Sequence, residues 1–213
     1  MSKTIQADLT VMHETNVLFS ADEMGLMKDS AWILTKNAVI SKWYQAMGHL
    51  AGRMKAALIN RQLPEALIRS NAKISRGENY LSLPYVMMDC PKIFGRDHVL
   101  AIRTFFWWGR FCSITLHAKG IYKPLVIRNL SATTCLRQSR FCYAIAGDEW
   151  NHDVMSDDYT PLPKLFSAAF LTDLRGSPFI KLSSKLDFEQ WNIMEEQLYE
   201  LFLMLIGLCE ESA

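Results

Sequence analysis

Arg103 and His117 bound the segment RTFFWWGRFCSITLH, the densest run of aromatic and β-branched residues in the chain. A guanidinium among Phe105, Trp107 and their apolar neighbours needs a carboxylate, a row of carbonyls or a bound anion. Arg suits a planar, two-point partner such as a carboxylate or phosphate. Two readings follow: an internal ion pair with Asp89 or Glu78, the usual fate of a buried charge, or recognition of an anionic ligand. His117 reads first as a hydrogen-bonded sheet residue, because nothing near it in sequence orients it as an acid or base. In SRGENY (residues 75–80), Arg76, Glu78, Asn79 and Tyr80 crowd polar groups into what reads as a connector from helices to sheet. Such connectors at a sheet edge commonly bind ligands, and a surface Arg–Glu pair around a Gly turn explains it equally well. The candidate ligand-binding residues are therefore Arg103, Arg76, Tyr80, His117 and Trp107. The expected ligand is small and anionic or partly aromatic.

Glu149 and His152 form an ExxH pair within GDEWNHD. On a helix that spacing puts two metal ligands on one face, but a bundle site needs a second ExxH, which the chain lacks. The segment follows a strand-like run and a Gly, so it reads as an acidic loop. Asp148, Glu149, His152 and Asp153 are weighed there as ligands of a divalent cation against a merely solvated cluster, and solvation is favoured. No GxSxG, HExxH, GxxxxGK[ST] or GxGxxG occurs. No catalytic residue, metal or cofactor is assigned. The five cysteines, at positions 90, 112, 135, 142 and 209, show no CxxC and no even framework, and read as free thiols of a reducing compartment.

The elements that position these groups are read from periodicity. Ser20-Ala21-Asp22-Glu23 is a capping box, with Phe19 and Met24 as its staple. A long helix is expected from about Ser30 to about Arg61, because Ile40, Trp43, Met47, Leu50, Met54 and Leu58 recur at helical spacing. Gly48, Gly52 and Ala56 form a second stripe, where each Gly costs about 1 kcal/mol and close approach of a partner helix would offset it. Pro64 opens a short helix. Residues 80–88, 99–108, 111–118, 140–146 and 179–186 read as strands, with 125–130 as a further short one. Cys90-Pro91 is expected to end the first of these strands. Gly109-Arg110 fits a two-residue turn. That turn sets Arg103, Phe105, Trp107, Cys112, Ile114 and Leu116 on one face, and Ser113, Thr115 and His117 on the other; a slip of one residue exchanges the partners. Residues 163–174 read as a helix stopped by Gly176. Asp187 is placed as the N-cap of a C-terminal helix that is apolar on more than one side.

The fold expected is α+β: N-terminal helices, a central antiparallel sheet of about four to six strands, and a long C-terminal helix packed on the sheet. We read one domain over 1–213, helical in 1–72, mainly β in 73–147, mixed in 148–186, with the C-terminal helix at 187–209. The 213 residues are 50% apolar and 21% charged, a large core for the length or a core plus a subunit interface. A net charge of +1 hides a split: residues 51–140 hold 15 Lys/Arg against 4 Asp/Glu, and the rest 8 against 18. The halves complement each other within the fold, between subunits, or by receiving an anion. The basic residues are scattered and the aromatics read as core, so nucleic acid is not an expected partner. The N-terminus lacks the apolar core of a signal peptide, and residues 201–209, the longest apolar run, fall far short of the roughly 18 a membrane span needs. A cytoplasmic protein without membrane contact is expected, forming a homodimer through its helices.

Three functions fit these residues. A ligand-binding protein requires a cavity lined by Arg103 or Arg76. An interaction protein requires a large helix–helix interface instead. An enzyme using His117 or the 148–153 loop requires a carboxylate or thiol within hydrogen-bond reach of a His.

Overall fold

The computed structural model describes residues 18–133, 136, 140–145, 147–163 and 166–211; Cys135 lies outside them. Two compact units divide the chain, 1–39 and 40–213. In the first, the expected capping box makes both its bonds: the Glu23 amide donates to Ser20 Oγ (3.2 Å) and the Ser20 amide to Glu23 Oε2 (2.7 Å). It opens α1 (Ala21–Lys28), which buries none of its residues. Asp29 then caps α2 (Ser30–Ala57), its carboxylate accepting from the amides of Ala31 and Trp32. The later turns of α2 belong to the second unit. There the predicted stripe of Ile40, Trp43, Met47, Leu50 and Met54 is buried, with Leu58 just past the helix. Each such side chain contributes about 1.5–3 kcal/mol by leaving water.

After α3 (Glu65–Ile68), β1 (Lys73–Tyr80), β2 (Leu83–Phe94), β3 (Val99–Trp107) and β4 (Phe111–Lys119) form a meander. Then come α4 (Lys123–Ala132), β5 (Phe141–Ala144), β6 (Tyr159–Pro161), α5 (Ala168–Gly176), β7 (Phe179–Leu186) and α6 (Trp191–Gly207). The sheet is antiparallel in the order β1-β2-β3-β4-β7-β5-β6. The expected α+β architecture holds, with seven strands. One face is apolar: Val86, Met88, Ile102, Phe106, Cys112, Ile114, Leu116 and Leu182 are buried on it. Helix α6 lies against β3 and β4, and Trp43 stacks on Phe106 at 4.4 Å between centroids. No helix among the described residues is long and apolar enough to cross a membrane.

Five expectations need correction. SRGENY is no connector but most of β1, an edge strand whose link to β2 is the pair Leu81 and Ser82, both at positive φ. Cys90-Pro91 does not end β2; the ladder shifts register between Asp89 and Lys92 and runs on to Phe94. Residues 125–130 lie within α4: Val126, Ile127 and Leu130 are buried at helical spacing, and Pro124 sits in the first turn, where its missing N–H costs nothing. The β3–β4 turn has three residues. Gly109 takes φ 69°, the Arg110 amide donates to Trp107 O at 3.1 Å, and Trp107 pairs with Phe111. That moves the register by one, so Arg103 shares its face with Ser113, Thr115 and His117 rather than with Ile114 and Leu116.

The fifth concerns Asp187. Its side chain makes no capping bond; it meets Lys185 Nζ at 2.8 Å, and a 3-10 turn over residues 188–190 precedes α6. Ser167, by contrast, caps α5 by accepting from the Phe170 amide at 3.1 Å. In urea denaturation Ser167→Ala is expected to lose about 1 kcal/mol, the usual value of an N-cap. Asp187→Ala is expected to lose less than half of that, since a solvent-exposed ion pair contributes little.

Candidate functional site

On the sheet face away from α6, one row of residues crosses five strands: Asp89, Arg103, Thr115, Ser183 and Cys142. The next row places Ala101, His117 and Lys181 side by side. Alternation along each strand dictates this, because every second residue of β3, β4 and β7 points to the same side. Toward the β3–β4 turn the same face is aromatic: Phe105, Trp107 and Phe111 are buried, with Tyr80, Tyr85 and Tyr159 packed against them.

Arg103 is held at three points. Its Nε and Nη2 donate to Asp89 Oδ1 (2.7 Å) and Oδ2 (3.0 Å), and Nη1 lies 2.7 Å from His152 Nε2. The Asp89 partner is one of the two weighed from the sequence. Thr115 Oγ1 and Ser183 Oγ share a hydrogen bond of 2.8 Å, and the Cys142 thiol donates to Ser183 O. Burial pushes that thiol up to about 11, so it is a poor nucleophile.

Residues 147–158 cover the polar rows. The segment is shaped by its own short side chains: Asp148, Asn151 and Asp153 each accept from the amide two residues on. Gly147 is at φ 85°, where a side chain would collide with the Asp158 carboxylate. Consecutive residues of the segment then reach the sheet. Glu149 accepts from Lys119 Nζ at 2.6 Å. The Trp150 ring lies edge-on to His117. Asn151 O accepts from Lys181 Nζ and, at 2.9 Å, from Tyr159 Oη. His152 takes Arg103, and its amide donates to Tyr80 Oη at 2.7 Å.

Two features stand out electrostatically. Lys181 is 1% exposed, its one hydrogen bond among the described residues goes to the Asn151 carbonyl, and no carboxylate there lies within ion-pair distance. Burial, and then the Arg103 guanidinium, pull it down to about 7. His117 Nε2 approaches Glu149 Oε2 at 3.2 Å without hydrogen-bond alignment, which leaves both buried atoms unsatisfied among the described residues. Burial first, then Lys181 and Arg103, drive His117 down to about 3 and His152 lower still, so both imidazoles are neutral at pH 7.

Of the candidates named from sequence, Arg103, Tyr80, His117 and Trp107 share this face. Trp107 is core, its Nε1 donating to Tyr80 O. Arg76 pairs with Val86 on the other face, exposed at the sheet edge, and is not brought to Arg103. Glu149 and His152 diverge onto different partners. Sequence reasoning missed Lys181, Asn151 and Tyr159. The signal for Lys181 was present: in FIKLSSKL, Lys181, Ser183 and Lys185 alternate with Ile180, Leu182 and Leu186, so the polar set had to lie on one face.

Arg103→Met is expected to cost on the order of 3 kcal/mol, because Asp89 is left buried and unpaired. Lys181→Met should instead stabilise the protein at pH 7. The unfolded lysine binds its proton below about 10.5 and the folded one only below about 7, so the parent gains stability as pH rises from 7 to 10.5, and the penalty of burying Lys181 is full below 7 and gone above 10.5. The advantage of Lys181→Met over the parent should therefore shrink as pH rises from 7 to 10.5 in urea denaturation. The two histidines add a second loss of stability as pH falls from 6.5 toward 3. No protein-family model, curated protein or solved structure matches this chain, so the function of the site is read from its own atoms.

Proposed function

We propose that this protein binds a small anionic ligand between the polar face of its sheet and residues 147–158, and that it does so as a cytoplasmic homo-oligomer. One observation carries the reading. Two cations of the buried face, Arg103 and Lys181, complete their bonding on consecutive residues of one covering segment, His152 and Asn151. Both acceptors are neutral. A carboxylate or phosphate in their place would give each cation a charged partner, and charge-assisted bonds are roughly twice as strong as neutral ones. The ligand enters as the segment lifts. Arg103 keeps Asp89 throughout, so its Nη1 stays aimed while the acceptor changes. Tyr80, Trp150 and Tyr159 supply ring faces for an aromatic or planar body.

The test is a thermal-shift panel of small carboxylates, aromatic acids and phosphate esters, with native mass spectrometry of the purified protein. At least one class should raise the melting temperature in the parent and not in Lys181→Met, whose unliganded stability is at least that of the parent. No shift across the panel, and no co-purifying mass, would remove the reading.

Self-association has its own support. Gly48 and Gly52 stay exposed on α2, and a Cβ placed at either meets nothing within 4 Å. Gly52→Leu therefore places its first side-chain atom in open space, on an exposed face of α2. Its stability should be unchanged or up by about 1 kcal/mol from helix propensity, while sedimentation at tens of micromolar should show the dimer weakened. A parent protein that sediments as a monomer would end the oligomer proposal.

A further inference from the structure

We infer that Lys181 is a nucleophilic amine that forms an imine with a small carbonyl compound bearing a neighbouring carboxylate, a 2-oxo acid. The inference rests on the ligand-site reading above and deepens it. A lysine buried on a sheet face without a carboxylate costs stability, and a protein that only needed to bind an anion would lose less by placing there an Arg, whose guanidinium is more weakly hydrated. Lysine differs from Arg in one chemical respect: it can shed its proton and attack a carbonyl carbon. The surroundings favour that form. Burial and the Arg103 charge outweigh the opposing pull of Asp148, Glu149 and the Tyr159 ring 5.5 Å from Nζ, and the only protein acceptor among the described residues is a carbonyl of residues 147–158. Depression of its proton affinity to about 7 is the expected consequence of such a place.

The flanking groups suit the steps. When Asn151 and His152 lift away, Lys181 Nζ loses its acceptor and Arg103 Nη1 is freed to take the substrate carboxylate. The amine nitrogen bonds to the carbonyl carbon, and the C–O π pair moves to oxygen. One amine proton passes to that oxygen, giving a carbinolamine. The nitrogen lone pair then forms the C=N bond as the hydroxyl, taking up a second proton, leaves as water, and the two protons are those the nitrogen gave up. Water admitted as the segment lifts carries them, since His117, directly across from Lys181 on β4, is held neutral by burial and the flanking cations. No oxidant or reductant is needed, and amine plus carbonyl gives imine plus water.

The experiment uses the full-length protein with glyoxylate or pyruvate, in the presence and absence of sodium cyanoborohydride, read by intact mass and peptide mapping. The expected result is a single reduced adduct on Lys181. It should form at least about tenfold faster than on any other lysine, with half-maximal rate near pH 7 where surface amines react near pH 10. It should be absent in Lys181→Arg. Glycolate and lactate, which have the carboxylate but no carbonyl, run in parallel by thermal shift on parent and Lys181→Arg. A shift by these anions with no adduct from the oxo acids overturns the imine and leaves the binding site standing. Adducts spread evenly over the lysines also overturn it. Neither shift nor adduct removes both readings.

Discussion

The ion pair between Asp89 and Arg103 is the constraint on which the rest of this face depends. The two residues stand opposite each other on adjacent strands, so backbone pairing alone brings the carboxylate to the guanidinium. Two parallel bonds fix the plane of the guanidinium and leave one edge, Nη1, pointing at the covering segment. His152 lies against that edge, and its amide is held by Tyr80. Without the pair, β3 would present an uncompensated charge beside Phe105 and Trp107, and the face could not be both apolar at one end and polar at the other. The pair forms the boundary between those two halves.

The halves grip residues 147–158 differently. Val154 is buried with Phe105, Trp107 and Phe111, an apolar anchor that depends on area removed from water. Residues 149–152 meet Lys119, Lys181 and Arg103 through polar bonds, with the Trp150 and His152 rings adding contacts to His117, Tyr80 and Phe105. Apolar packing that opens to water is restored only on closing, whereas water or ligand atoms can replace hydrogen bonds one for one. The proposed ligand entry therefore needs residues 149–152 to exchange their polar bonds while Val154 keeps its apolar anchor. The neutral state of both buried imidazoles belongs to the same arrangement. Two cations already occupy the site, and charging a third or fourth group among them would oppose closure.

Much of this was legible in the chain. The stripe Ile40, Trp43, Met47, Leu50, Met54 and Leu58 repeats at helical spacing and is buried. Ser20 and Glu23 announce their cap and make it. The strands β3, β4 and β7 follow from β-branched and aromatic density, and Asp89 was one of two partners assignable to Arg103. These are local properties: side-chain shape, backbone preference and period act over a few residues and need no knowledge of the rest.

What tertiary structure decided was pairing. One extra residue in the turn at Trp108, Gly109 and Arg110 moved the register by one and exchanged Ile114 and Leu116 for Thr115 and His117 as the companions of Arg103. Residues 125–130 read as a short strand and fold as helix, because a short apolar run carries both patterns until its neighbours bury one. Asp187 had the chemistry of a cap, but the chain entered α6 through a 3-10 turn and left its carboxylate to Lys185. Lys181 meets His117 across more than sixty residues, and meets Asn151 through a segment with no period at all. The sequence by itself determined which residues form helices and strands and which faces are apolar, because those follow from local sterics and hydrophobic spacing. Only the tertiary structure decided which polar residues share the buried face, because a sheet repeats every two residues and a single-residue shift reverses every side chain.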